Sequence, residues 1–342
     1  MEASPVEFCS RRFEGLLRRA REPLADYLGS RLDHLAFVEN TTTAVNWVLR
    51  SLPWQRGDQI LLNPHEYGAV ERACRVVAEE KQLKLVHLAA TDPAQLLGAL
   101  ESQHTSRSRL VILSQITSPT ALRLPVEEVG RWCRQRGIWT LIDGAHAPGH
   151  IDLQLDQLEV DFWSGNLHKW LWSPKGSALL WVHPASQHWI RPVIASWGVD
   201  SPVPLEEPQW VAWIQMQATR DLSAFLASPA GLNYQRRVHL PVRKAACLQR
   251  LRWLSQELCQ LGAIPVDPQE NGLLMRAFHW PYALPPERLR EHLWHRHRLE
   301  VPCYPWQGRL HFRISLQHYV SDPELERLLA GLSEARVAPG DL

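Results

Sequence analysis

Apolar residues fall into two rhythms along the chain. From about position 6 to 28, Val6, Phe8, Phe13, Leu16, Leu17, Leu24 and Leu28 recur at helical spacing among arginines, which predicts an amphipathic helix closed by Gly29. Short apolar runs of strand length follow: "QILLN" (59–63), "LKLVHL" (83–88), "RLVILSQ" (109–115), "IWTLID" (138–143) and "ALLWV" (178–182). Between them lie the amphipathic stretches "GAVERACRVVAEEKQ", "DPAQLLGALES" and "PVEEVGRWCRQRG". Buried strands alternating with helices predict right-handed crossovers and an α/β domain, its mostly parallel central sheet covered by helices on both faces.

The rhythm stops after Val182. Residues 183–208 are rich in Pro and Trp and read as an irregular connection. A helical stretch spans about 233–261, interrupted by Pro241 and ending near Gly262. Beyond it "GLLMRAF", "PERLREHLWHRH", "GRLHFRISL" and "DPELERLLAGLSEA" predict a small C-terminal α+β domain. The expected organisation is a large domain over 30–235 and a small one over 236–342 joined by the N-terminal helix 1–29.

Composition narrows the function classes. With 37 Lys+Arg against 36 Asp+Glu the formal charge is +1, so no long-range field draws in nucleic acid or an anionic membrane. Six cysteines without a C-x-x-C pair fit reduced thiols rather than a disulfide or zinc scaffold. The start "MEASPVEFCSRRFEGLLRRAREP" lacks a secretory h-region, and no apolar run approaches a membrane span. A cytoplasmic location is expected.

Candidate chemistry gathers where strands of a parallel sheet end. Asp143, in "LIDGAHAPGH", follows a strand and precedes small residues that leave room for something flat to approach. A carboxylate there serves as a helix N-cap, a metal ligand or the partner of a cationic ring nitrogen. "ENTTTAVNWVLRSL" opens a helix with hydroxyl residues, which suits a phosphate or an ordinary N-cap. Tyr67 in "NPHEYGAV" stacks on a planar ligand or fills core, and Thr117 and Ser118 in "SQITSPTALRLPVEE" bond a ligand oxygen or form a turn. Lys169 in "DFWSGNLHKW" sits behind a histidine and between tryptophans, where a free ammonium is costly.

These residues carry a family pattern. "ITSPTALRLPVEEV", "LIDGAHAPGHIDLQLDQLEVDFWSGNLHKWLWSPKG", "RPVIASWG" and "ATRDLSAFLASPAGL" occur in order, and the chain resembles the class V aminotransferase family of pyridoxal-phosphate enzymes from "PVEFCSRRF" to "RISLQHYVSDPELERL". Within it the chain is similar to the isopenicillin N epimerase-like branch, which shares ancestry with cysteine desulfurases. The resemblance implies fold type I and pyridoxal 5'-phosphate as cofactor, with Lys169 forming the internal aldimine. It implies that Asp143 pairs with the ring nitrogen, that Tyr67 stacks on the ring, and that His146 and Ser118 lie near its phenolic oxygen. Thr41, Thr42, Asn166 and His168 would hold the phosphate. Thr219 would reach the neighbouring subunit's site in a homodimer, and Arg313 would bind the carboxylate of an amino-acid substrate.

Departures from the pattern bear on activity. The resemblance leads to the expectation of an N-terminal strand lining the site mouth, which this sequence starts after, and Thr41 and Ala218 stand where Ala and Gly are expected. Epimerisation, transamination, and cysteine desulfuration or C–S cleavage share the same lysine; a desulfurase also needs a mobile thiol, for which Cys303 is the candidate. A catalytically impaired cofactor-binding homologue is a further alternative. A metal hydrolase built on His146, His150 and Asp152 conflicts with Pro148 and Gly149, which break the aligning helix, so no metal site is assigned. The loop "SWGVDSPVPLEEPQW" is expected to shape side-chain specificity.

Overall fold

The computed structural model describes residues 3–200 and 206–336. Residues 201–205, part of the loop expected to shape specificity, lie outside the described residues. The chain divides into two units: Met1–Thr117 with Arg123–Gln235, and Ser118–Leu122 with Arg236–Leu342.

The first unit is built on a seven-stranded sheet: β1 (Leu35–Val38), β2 (Gln59–Leu62), β3 (Lys84–His87), β4 (Ser108–Ser114), β5 (Trp139–Asp143), β6 (Phe162–Asn166) and β7 (Ala178–Val182), in the order β1-β7-β6-β5-β4-β2-β3. β2 to β6 pair in parallel, and β7 runs antiparallel to both β6 and β1. The central strands are buried throughout, which explains why they read as continuous apolar runs, whereas β3 at the edge keeps exposed ends. Two strands were not expected from sequence. β1 is only "LAFV", too short to stand out, and β6 is "FWSGN", polar in composition yet wholly buried.

The helix Thr41–Ser51 turns Ala44, Val45, Trp47 and Val48 onto the sheet core with Leu110, Phe162 and Leu180. The N-terminal helix is regular only from Phe13 to Leu28, with Phe8–Arg12 wound as a π-turn. Gly29 ends it at φ 63, and Ser30 N bonds Ala25 O at 3.0 Å, a left-handed cap that glycine adopts without strain.

The second unit carries a four-stranded antiparallel sheet, β8 (Ile264–Pro265), β9 (Met275–His279), β10 (Cys303–Trp306) and β11 (Arg309–Ser315), in the order β10-β11-β9-β8. Its helices Pro286–His297 and Asp322–Glu334 match the sequence patterns, and the second opens on a capping box between Ser321 and Glu324. The expected long helix is split: Leu240–Gln260 begins with Pro241 in its first turn, where a missing N–H costs nothing.

One reading of the small residues after Asp143 is corrected. A Cβ on Gly144 would fall 2.4 Å from the Trp163 ring, and one on Gly165 2.2 Å from it. The flat group these glycines admit is the protein's own indole, whose Nε1 donates to Gln115 Oε1 at 2.9 Å. Gly144→Ala is therefore expected to destabilise the fold by about 1–3 kcal/mol, as overpacking of a dense core does. Urea unfolding checks this; an unchanged midpoint would mean Trp163 has room to move.

Candidate active site

The C-terminal ends of β4, β5 and β6 form a row in register, Ser114 beside Asp143 beside Ser164. Asp143 is buried, and its Oδ1 accepts from Ala145 N at 2.8 Å. Loss of water, the largest effect, raises its pKa, while that backbone bond and Lys169 pull it down. Such a carboxylate suits a cation brought in from outside the chain.

β6 is the element that delivers the lysine. It ends at Asn166, and three residues on Lys169 Nζ lies 3.1 Å from His146 Nε2. On the other side of that imidazole, Trp170 Nε1 donates to His146 Nδ1 at 3.1 Å. An indole N–H only donates, so Nδ1 must be the unprotonated nitrogen and the neutral ring's proton sits on Nε2. Nε2–H then donates to Lys169 Nζ, which accepts through a lone pair that an ammonium does not have. As a hydrogen bond this contact uses the amine form of Lys169, whereas it is the ammonium form that lowers the Asp143 pKa. His150 stacks on Trp170 with ring centroids 4.0 Å apart and holds the indole in plane.

The opening of the helix Thr41–Ser51 is laced to the same strand. Thr41 N donates to Asn166 Oδ1 at 3.0 Å, and Asn40 Oδ1 caps the helix by accepting from Thr43 N at 2.9 Å. Thr41 is buried, and Ser164 Oγ donates to its hydroxyl at 3.4 Å. Thr42 stands half-buried beside it. His168 Nδ1 donates to Ser177 O at 3.0 Å, which leaves Nε2 as the available nitrogen; burial lowers its pKa. Tyr67 begins the helix Gly68–Lys81 with its ring half exposed.

Glu66 is the residue that sequence reading passed over. Half-buried above the strand ends, its Oε1 accepts from Ser114 Oγ at 2.6 Å and Tyr67 N at 3.0 Å, and its Oε2 from Asn63 Nδ2 at 3.2 Å. Desolvation and then the Asp143 carboxylate push its pKa up to about 7. Its one signal was position, directly before Tyr67 at the end of β2.

Elsewhere in the first unit, Thr219 is exposed and borders a cavity of about 150 Å³ with Phe13, Trp197, Met216 and Ala218. Ala218 has φ 86, in the region glycine prefers, which accounts for the glycine the resemblance expects there. The His146–His150 pair does not converge on a metal: His150 Nδ1 donates to His146 O at 3.2 Å, and Asp152 is exposed. In the second unit Arg313 Nη1 donates to Ser118 O at 2.6 Å and Ser118 Oγ at 3.1 Å, so those two expected site residues meet each other. Cys303 is buried, bonds Val301 O at 3.4 Å, and burial pushes its thiol up to about 12.

A parallel sheet whose strand ends gather a lysine, a buried carboxylate and a hydroxyl-rich helix start defines an α/β enzyme of the kind that binds a phosphorylated aldehyde. Residues 4–271 match the family described as Aminotransferase class-V. The chain is 34% identical to an isopenicillin N epimerase of Amycolatopsis lactamdurans, over 98% of this chain and 88% of that one, and 30% identical to an L-cysteine desulfhydrase-like protein of Epichloe uncinata, over 75% and 62%. Among solved structures, a C-DES mutant with glycine covalently linked to its pyridoxal-phosphate cofactor superposes with a TM-score of 0.86 at 22% identity, covering 97% of this chain and 89% of that one. This chain belongs to the class V aminotransferase family, and its cofactor is pyridoxal 5'-phosphate. The residues fit that group: the Lys169 amine suits an aldehyde, and the desolvated Asp143 suits a pyridinium.

Two predictions follow from this geometry. Trp170→Phe removes the donor that fixes the His146 tautomer, so labelling of Lys169 by an aldehyde, trapped with borohydride and read by peptide mass, is expected to need a higher pH by about one unit, a tenfold change near neutrality. An unchanged pH profile would show that the indole does not govern the amine.

The Glu66 carboxyl has a folded pKa near 7 against an ordinary value of 4.5, so between those values the folded chain binds more protons and stability falls as pH rises. In cofactor-free protein that loss is expected to be on the order of 1–2 kcal/mol between pH 5 and 8 at this half-buried group. Glu66→Gln should flatten the dependence in urea unfolding across that range; an equally steep mutant would contradict the assignment.

Proposed function

We propose that the protein moves a proton at the α-carbon of an amino acid, in the manner of the isopenicillin N epimerase-like branch, with Lys169 as both point of cofactor attachment and base. The Trp170–His146–Lys169 chain carries this reading, because it holds the Lys169 side chain against an imidazole whose tautomer the indole fixes. When bound, the cofactor supplies an aldehyde and a cationic ring that draws in the electron pair left at the α-carbon.

Each remaining residue has an assigned task. Asp143 would hold the ring nitrogen in its protonated form, since a cation beside it offsets the cost of its own burial. Tyr67 would cover the ring face, and His146 and Ser118 would serve the phenolic oxygen. Thr41 and Thr42 at the helix opening, with Asn166 and His168, hold the phosphate. Arg313 takes the substrate carboxylate as a bidentate fork. Thr219, exposed beside Trp197, completes the site of a second copy, which makes the working form a homodimer in the cytoplasm.

During turnover Lys169 Nζ, released from its contact with His146, would take the α-proton, a step of a kind worth roughly 100- to 10,000-fold. Lys169→Ala is expected to lose borohydride-stable cofactor on the peptide holding residue 169 and to cut exchange of the substrate α-hydrogen for deuterium by at least that factor. Mass spectrometry and NMR over a panel of amino acids read both. A mutant that keeps either property would overturn the assignment, and inverted substrate, keto acid or sulfide among the wild-type products distinguishes epimerase, transaminase and lyase.

A further inference from the structure

We propose that His292, His297 and Glu334 form a binding site for a borderline divalent cation, of which zinc is the best match. Both histidines lie on the helix Pro286–His297 and the glutamate on the last turn of Asp322–Glu334, within the second unit. The helices approach closely at Gly331, where a Cβ would meet Leu293 Cδ2 and His297 Cδ2 at 2.8 Å. That approach brings three ligand atoms to within 4.8 Å of one another.

The spacing matches a tetrahedral ion. Zinc bonds of about 2.0–2.1 Å place neighbouring ligands roughly 3.3–3.4 Å apart. His297 Nε2 lies 3.1 Å and His292 Nε2 3.6 Å from Glu334 Oε2, on either side of that value. The His292 side chain is 3% exposed, His297 12% and Glu334 49%, so packing holds both imidazoles while the carboxylate leaves an entry path and a water-accessible fourth position. Two imidazole nitrogens and one carboxylate oxygen favour zinc over calcium or magnesium, which take oxygen ligands.

Protonation is compatible with ligation. His292 Nε2 donates to Gly331 O at 3.0 Å and His297 Nε2 donates to Glu334, so in each ring the proton sits on Nε2. Binding moves each proton to Nδ1 of the same neutral ring, and the metal takes the vacated lone pair with no net proton released. The bound ion would clip the two helices together.

Zinc counted by equilibrium dialysis against chelator-washed holoenzyme tests this. One zinc per chain is expected, with a raised thermal midpoint, and cobalt in its place should give the visible absorption of a tetrahedral ion. Glu334→Gln and His297→Asn should each weaken binding roughly tenfold or more while the bound cofactor's spectrum reports intact folding. His295→Ala, on an exposed face of the same helix, and Cys259→Ser, an exposed thiol, should leave it unchanged. No zinc bound, or binding lost with Cys259→Ser but kept in Glu334→Gln, would show that the three side chains are only a hydrogen-bonded helix lock and overturn the proposal.

Discussion

An indole N–H has no lone pair to offer, and the chemistry of the site depends on that. Because Trp170 can only donate to His146 Nδ1, the imidazole can only donate from Nε2, and Lys169 can only accept. The contact offered to the lysine is thus set by a neighbour two hydrogen bonds away. His150, stacked face to face on Trp170, restricts the indole, and a Cβ on Gly149 would fall 2.3 Å from Trp170 O, so the turn holding the histidines fits closely against the lysine segment. Backbone, stack and tautomer act as one unit.

The opposite electrostatic problem is handled a few ångströms along the row of strand ends. Asp143 is kept away from water with a single backbone donor, so its ionised form is short of stabilisation. Glu66 is treated differently: three donors surround it, yet the nearby Asp143 charge still pushes it toward protonation. Two carboxyls in one desolvated region cannot both ionise cheaply, and a cationic ligand relieves both at once. Cofactor affinity and local stability are therefore linked through the same pair.

Much of this architecture was legible in the residues. The buried strands β2, β4, β5 and β7 announced themselves because burial on both faces demands unbroken apolar runs, and the end of one such run is where Asp143 drew attention as a candidate. β6 stayed hidden because Ser164, Gly165 and Asn166 serve the site and the Trp163 ring rather than a hydrophobic pattern. Gly144 was misread for the same reason: the space it leaves is filled from the next strand. Contacts that link distant positions, Trp170 to His146 across 24 residues and Glu334 to His297 across 37, have no local signature at all. Glu66 shows the boundary case, adjacent to a recognised residue but given its role by Ser114, 48 residues away.

The state of Cys303 bears on which reaction the lysine serves. A desulfurase passes sulfur to a protein thiolate, so the thiol must ionise and move. Here the thiol packs in β10 against Val301 O, and burial pushes its pKa up to about 12, which disfavours the thiolate. Freeing it would require the strand pairing of Cys303 with Phe312 to open. Lys169 Nζ, by contrast, lies on the surface of the strand-end site, 3.1 Å from His146 Nε2. Sulfur transfer through Cys303 would therefore draw on a thiol that the fold holds in a paired strand, away from water.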